Sequence, residues 1–304
     1  MTEASGFCGV YPMLYAFFGA DGKLDREAIR AQVEHCVASR VHGIAALGLG
    51  TEVAKLSAAE RRRILEWVAE DLGGRLPLAI TVFGRTPREQ IEFVRAAAAE
   101  GADWVILQPP RGEAPSEGEL VRFFGQVADA APLPVAIQNA PQYIGVGLTD
   151  RSIEVLNRQH PNVRLIKAEG SALETRALIE LTGGRMGIWG GRGGLELTDV
   201  LRAGCAGMIP SVESADVQAR IFRLMRTGRP EDAVEAERLY GKILPLITFL
   251  MQSVDQFLCY GKRLTARRLG LAEVHDRAPA QAPTPFGLAC LERYAAALDF
   301  IARS

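Results

Sequence analysis

Lys167 closes a short apolar run, VRLIK (163–167), and is followed by Ala168, Glu169 and Gly170. Val163, Leu165 and Ile166 read as a buried strand, so the lysine stands where a strand ends. An amine in an apolar surrounding is desolvated, which disfavours the ammonium and leaves a nucleophile able to attack a ketone. The protonated imine that results is an electron sink for the adjacent carbon. The alternative is a lysine that ends its strand in solvent, and this segment alone does not separate the two.

Other segments bring groups that suit the same chemistry. Gly48, Gly50 and Thr51, in GLGTE (48–52), form a glycine-rich turn. Its backbone N–H groups and hydroxyl can receive a carboxylate, although an ordinary strand-to-helix loop would look similar. Gln138 and Asn139, in QNAP (138–141), end another apolar run. The Gln138 amide can orient a substrate hydroxyl or carbonyl, or simply cap the strand, but it cannot act as a general acid. Tyr143 offers a phenol as a proton carrier, or else a packing residue. Arg111, and Gly191 with Arg192 in WGGRGG (189–194), can grip a second carboxylate or another distal anion. Solvated loop arginines are the competing reading. Glu52 is the one carboxylate expected close by, and Asp, Cys and His are missing from the expected strand ends. Hydrolysis by a carboxylate pair, metal-bound water and a cysteine nucleophile therefore lack parts, and the lysine amine remains.

The elements that must position these residues follow one pattern. Eight β-like runs, at 9–18, 43–48, 77–83, 102–108, 133–138, 163–167, 186–190 and 206–211, alternate with helical stretches. They are nearly continuous apolar runs, as expected of parallel strands covered on both faces. Ser57 with Glu60, Thr86 with Glu89, Ser116 with Glu119 and Ser171 with Glu174 mark helix starts as capping boxes, and Pro87 suits a first helical position. Strict alternation predicts a parallel sheet, and eight units predict closure into a (β/α)8 TIM barrel, with the active site at the carboxyl ends of the strands. A doubly wound open sheet is the alternative. The lack of G-x-G-x-x-G after the first strand weighs against its dinucleotide-binding form. Helices are expected at 213–227, 230–258, 260–270 and 288–302, with a proline-rich connection at 276–287. Residues 1–228 then form the barrel, and 229–304 a C-terminal helical extension packed on it as one structural unit.

Composition narrows the partners. With 35 basic and 36 acidic residues the net charge is −1, so neither nucleic acid nor a membrane surface is expected to bind. A small molecule or another copy of the chain is. Five scattered cysteines without a C-x-x-C read as free thiols in a reducing compartment, and the four histidines lack metal-ligand spacing. No signal peptide is expected, and ILPLITFLM (243–251) is too short to span a bilayer, which points to a cytoplasmic protein.

LIKAEG, GLGTE and QNAP together resemble the dihydrodipicolinate synthase / N-acetylneuraminate lyase family of class I aldolases, over nearly the whole chain. The resemblance implies that Lys167 forms an imine with pyruvate or another 2-oxo acid. It implies a lyase: a pyruvate-type aldolase, or a 2-keto-3-deoxy-sugar-acid dehydratase or aldolase. It also implies no metal or organic cofactor, and a homo-oligomer, tetramer or dimer. The departures are specific. The family's strand-5 tyrosine falls on Gln138, the two hydroxyl residues of its strand-2 turn fall on Leu49 and Gly50, and the tyrosine after strand 4 falls near Pro110 and Arg111. A three-hydroxyl proton relay is therefore not carried over, which weighs against dihydrodipicolinate synthesis itself. A non-catalytic 2-oxo acid binder that keeps the pocket without the relay is the second reading.

Overall fold

The computed structural model describes residues 6–110 and 115–303. Eight parallel strands, β1 (Gly9–Val10), β2 (Ile44–Ala46), β3 (Leu78–Val82), β4 (Trp104–Leu107), β5 (Val135–Asn139), β6 (Val163–Ala168), β7 (Gly187–Gly190) and β8 (Gly207–Met208), run in the order β1-β8-β7-β6-β5-β4-β3-β2. The remaining gap, between β1 and β2, is bridged by Leu14 N–H to Ala45 O and Ala45 N–H to Pro12 O, both 2.9 Å. The result is a (β/α)8 barrel.

The expected runs at 9–18 and 206–211 shorten to two residues each. Pro12 and Pro210 have no N–H to place in a ladder, and Met13 instead makes single bridges to Ala45 and Ser211. Inside the barrel, Tyr11, Trp104 and Trp189 form a plug with ring centroids 4.8–5.7 Å apart. Ala45, Ala79 and Ala136 face it, small enough to admit three large rings. Chemistry is thereby confined to the layer above the plug.

The outer layer is α1 (Arg26–Ala38), α2 (Ala58–Leu72), α3 (Pro87–Ala99), α4 (Glu117–Ala130), the single turn α5 (Pro141–Ile144), α6 (Asp150–Gln159), α7 (Ala172–Thr182), α8 (Leu197–Ala203) and α9 (Ala215–Arg226). Ser57, Ser116 and Ser171 form complete capping boxes. At Thr86 the hydroxyl caps the helix, but the Glu89 carboxylate accepts from Arg85 N–H at 2.7 Å, one residue short of closing the box.

Three helices follow: α10 (Pro230–Leu250), α11 (Val254–Leu269) and α12 (Pro285–Arg303). The helix expected over 230–258 breaks after Leu250, and no break occurs at 259. Ser253 restarts the chain by accepting from Gln256 N–H at 3.0 Å. Leu239, Ile243, Leu264 and Leu298 from these helices join the barrel's own outer core in one cluster. Glu52, expected near the chemistry, is a tether instead: it pairs with Lys55 at 2.5 Å and with Lys262 of α11 at 2.8 Å. Lys262 is buried, and a buried ammonium needs such a partner. Among the described residues no helix is long and apolar enough to cross a membrane.

Candidate active site

Lys167 is the penultimate residue of β6, in register with Gln138 on β5 and Trp189 on β7. Its side chain is 7% exposed, and its Nζ lies 2.9 Å from Glu169 Oε1, whose side chain is 4% exposed. The two-residue spacing explains the meeting, because alternate residues of an extended strand share a face. The other Glu169 oxygen accepts the Arg192 N–H at 2.5 Å. Gly191 makes that approach possible, since a Cβ there would overlap the Glu169 carboxylate. The amine therefore sits beside a fixed counter-charge, where a purely apolar mouth was expected.

The pair opens on a cavity of about 50 Å³ bordered also by Gly50, Tyr143, Arg192 and Ser211. Met251, Val254 and Phe257, from the break between α10 and α11, form part of its wall, so the C-terminal helices help enclose the site. Tyr143 stands on α5, and burial together with the neighbouring Glu169 raises its phenol above the ordinary range, against the opposing charge of Arg192. Arg192 has a positive φ of 52°, and its guanidinium meets Glu196 at 3.0 Å.

The remaining expected residues are placed differently. Gly48 N–H donates to Met13 Sδ at 3.2 Å. The Thr51 hydroxyl donates to Leu14 O at 2.6 Å and accepts Leu47 N–H at 2.9 Å, so it shapes the turn and is not directed at the cavity. Asn139 uses both ends of its amide on Leu148, holding the loop after β5. Gln138 Oε1 accepts from Gln108 Nε2 at 2.9 Å, whereas Gln138 Nε2 is buried with no partner among the described residues. Arg111 lies outside the described residues. No three His, Cys, Asp or Glu side chains among those described come together as a metal ligand set.

Two carboxylates escaped the sequence reading. Glu169 carried a signal, its place two residues beyond Lys167. Glu213 carried none. It accepts the Ser211 hydroxyl at 2.6 Å and the Tyr15 hydroxyl at 2.9 Å, and burial holds its carboxyl above the ordinary range in spite of both bonds.

The sequence model of the dihydrodipicolinate synthetase family matches residues 6–282. YagE of Escherichia coli K12, named as a candidate 2-dehydro-3-deoxy-D-gluconate aldolase, is 34% identical over 167 residues, and the match spans only 55% of either chain. The 4-hydroxy-tetrahydrodipicolinate synthase of Pelobacter propionicus is 29% identical over 74% of this chain and 77% of its own. Among solved structures, YagE in complex with pyruvate superposes with a TM-score of 0.86 at 26% identity, covering 96% of this chain and 99% of that one. The 4-hydroxy-tetrahydrodipicolinate synthase of Methylacidiphilum fumariolicum SolV superposes at 0.87 with 24% identity over 96% of both chains, a likeness of fold.

Proposed function

Because the chain belongs to the dihydrodipicolinate synthetase family, we propose that it is a Schiff-base lyase acting on a 2-oxo acid, with Lys167 as nucleophile and Glu169 as proton carrier. The observation that carries this reading is the buried Lys167–Glu169 pair at 2.9 Å, on the cavity at the carboxyl end of β6. Glu169 takes the ammonium proton, and the neutral amine adds to the ketone carbon. The carbinolamine loses water, which carries that proton away, and leaves the protonated imine. Glu169, a carboxylate again, then removes a proton from C3 to give the enamine. Gln138, standing where the family has its tyrosine, orients a substrate oxygen with its unpartnered amide N–H. Gly50, on the cavity wall, offers its backbone N–H to the acid's carboxylate, the Gly48 N–H being taken by Met13. Arg192 can take a distal anion in exchange for Glu196, and Arg111 is a second candidate for that role. The pyruvate complex of YagE supports a pyruvate-type acid. The family resemblance supports a homo-oligomeric, cytoplasmic enzyme.

Borohydride reduction in the presence of pyruvate tests the proposal. A stable mass increment on the peptide carrying Lys167, absent from Lys167→Ala, is the expected result. Failure to trap pyruvate or any longer 2-oxo acid, under conditions that trap a control aldolase, refutes it. The second reading, a 2-oxo acid binder without catalysis, draws on Gln138 and on the use of the Thr51 hydroxyl within its own turn. It predicts binding by calorimetry without trapping.

A further inference from the structure

Two strands round the barrel from Lys167, the residues after β8 build a second polar group on the same cavity. Ser211 borders the cavity, and behind it Glu213 is 3% exposed. One Glu213 oxygen lies 2.6 Å from the Ser211 hydroxyl and the other 2.9 Å from that of Tyr15. Room for the Tyr15 hydroxyl comes from Gly261 of α11, where a Cβ would overlap it.

The charges around this group are already spoken for. Arg268 donates to the Glu213 backbone carbonyl at 2.7 Å, and its guanidinium is engaged by Asp216 at 2.8 Å, with His35 of α1 facing that pair. Glu52, which faces Tyr15, is held by Lys55 and Lys262. No lysine or arginine among the described residues forms an ion pair with the Glu213 carboxylate. Burial raises the carboxyl and favours its neutral form, against the bonds from Ser211 and Tyr15 and the nearby charge of Arg268, with no directly paired cation to offset it. A protonated Glu213 donates to the Ser211 oxygen and frees the serine hydrogen for the cavity.

Building on the imine reading, we propose that Glu213, acting through the Ser211 hydroxyl, is the proton donor to a hydroxyl leaving from C4, so that the enzyme dehydrates a 4-hydroxy-2-oxo acid. Glu169 takes the C3 proton from the Lys167 imine. The enamine pair forms the C3–C4 double bond while the C4–O bond breaks with its electrons. The departing oxygen takes the Ser211 proton, Ser211 takes that of Glu213, and water leaves. Hydrolysis of the conjugated imine releases a 2-oxo-3-enoic acid and Lys167, and the proton on Glu169 returns to Glu213 through water, with no net oxidation. Aldol cleavage makes the opposite demand: it needs a base at the C4 hydroxyl, and a neutral carboxyl behind Ser211 is an acid.

The test uses 4-hydroxy-2-oxopentanoate, with the absorbance of the conjugated product as readout, on the wild type, Glu213→Gln and Ser211→Ala. Glu213→Gln keeps the shape and hydrogen bonds but removes the proton. Both variants are expected to keep borohydride trapping of pyruvate at Lys167, and to dehydrate about 100-fold more slowly. In the wild type kcat should fall as pH rises through the Glu213 pKa, and Glu213→Gln should lose that limb. Dehydration within twofold of wild type in both variants, with an unchanged pH profile, would overturn the inference. So would wild-type conversion to pyruvate and acetaldehyde without conjugated product. Absence of trapping in the wild type would instead bring down the imine reading on which the inference rests.

Discussion

In the proposed imine mechanism Lys167 attacks the ketone only once its proton has left, and the Glu169 carboxylate, 2.9 Å away, is the acceptor paired with it. Glu169 is itself held by the Arg192 N–H, and the space it occupies exists because residue 191 is glycine. Glu169→Gln should keep the bond to Arg192 N–H while losing proton transfer. Exchange of the pyruvate methyl protons into deuterated water, followed by NMR, should fall by about 10²- to 10⁴-fold, with pyruvate affinity changed far less. Exchange at the wild-type rate would remove Glu169 from the mechanism. The resemblance sets Gln138 where the family carries a tyrosine, and an amide has no proton to give at working pH, so the proposed mechanism rests on the carboxylate.

At the scale of elements, the break between α10 and α11 brings Met251, Val254 and Phe257 to the cavity, and the α11 tether holds them there. Lys262 of α11 is 1% exposed and bonded to Glu52 at 2.8 Å in the turn after β2. Lys262→Ala should leave that carboxylate with Lys55 alone and destabilise the fold by about 3 kcal/mol, the lower end for a broken buried pair. Urea denaturation measures this, and a change below about 0.5 kcal/mol, the size expected of a surface substitution, would mean that the tether is not structural. Tethering also accounts for the expected role that Glu52 does not fill: its charge is spent on holding a helix.

At the scale of the whole molecule, closure of the barrel depends on its shortest strands. His42 sits on the β1–β2 seam, taking the Val10 N–H on Nδ1 at 3.2 Å and giving its own N–H to Val10 O at 3.0 Å. Burial, aided by the charge of Arg223, lowers its imidazole from 6.5 to about 4, so the fold holds it neutral where an unfolded chain would protonate it. Between those two pH values the unfolded state binds the extra proton, and stability should drop as pH falls from 6.5 towards 4. A His42→Asn variant, whose amide oxygen can still accept the Val10 N–H, should lose less stability between pH 7 and 4.5 than the wild type. Equal losses in urea midpoint would place the acid sensitivity elsewhere.

Alternation of strands and helices, the serine caps and the position of Lys167 at the end of β6 were legible in the sequence. Each depends on residues within a few positions of one another, through strand periodicity or a cap three residues away. The short β1 and β8 were written in Pro12 and Pro210, and the Lys167–Glu169 pair in their two-residue spacing, but both needed the barrel to show what the spacing meant. Tertiary structure alone decided the rest. Tyr15 and Glu213 are 198 residues apart, and Glu52 and Lys262 are 210 apart. A carboxylate's role as base, acid or tether follows from the group that folding brings against it, and no local pattern encodes a partner at such a distance.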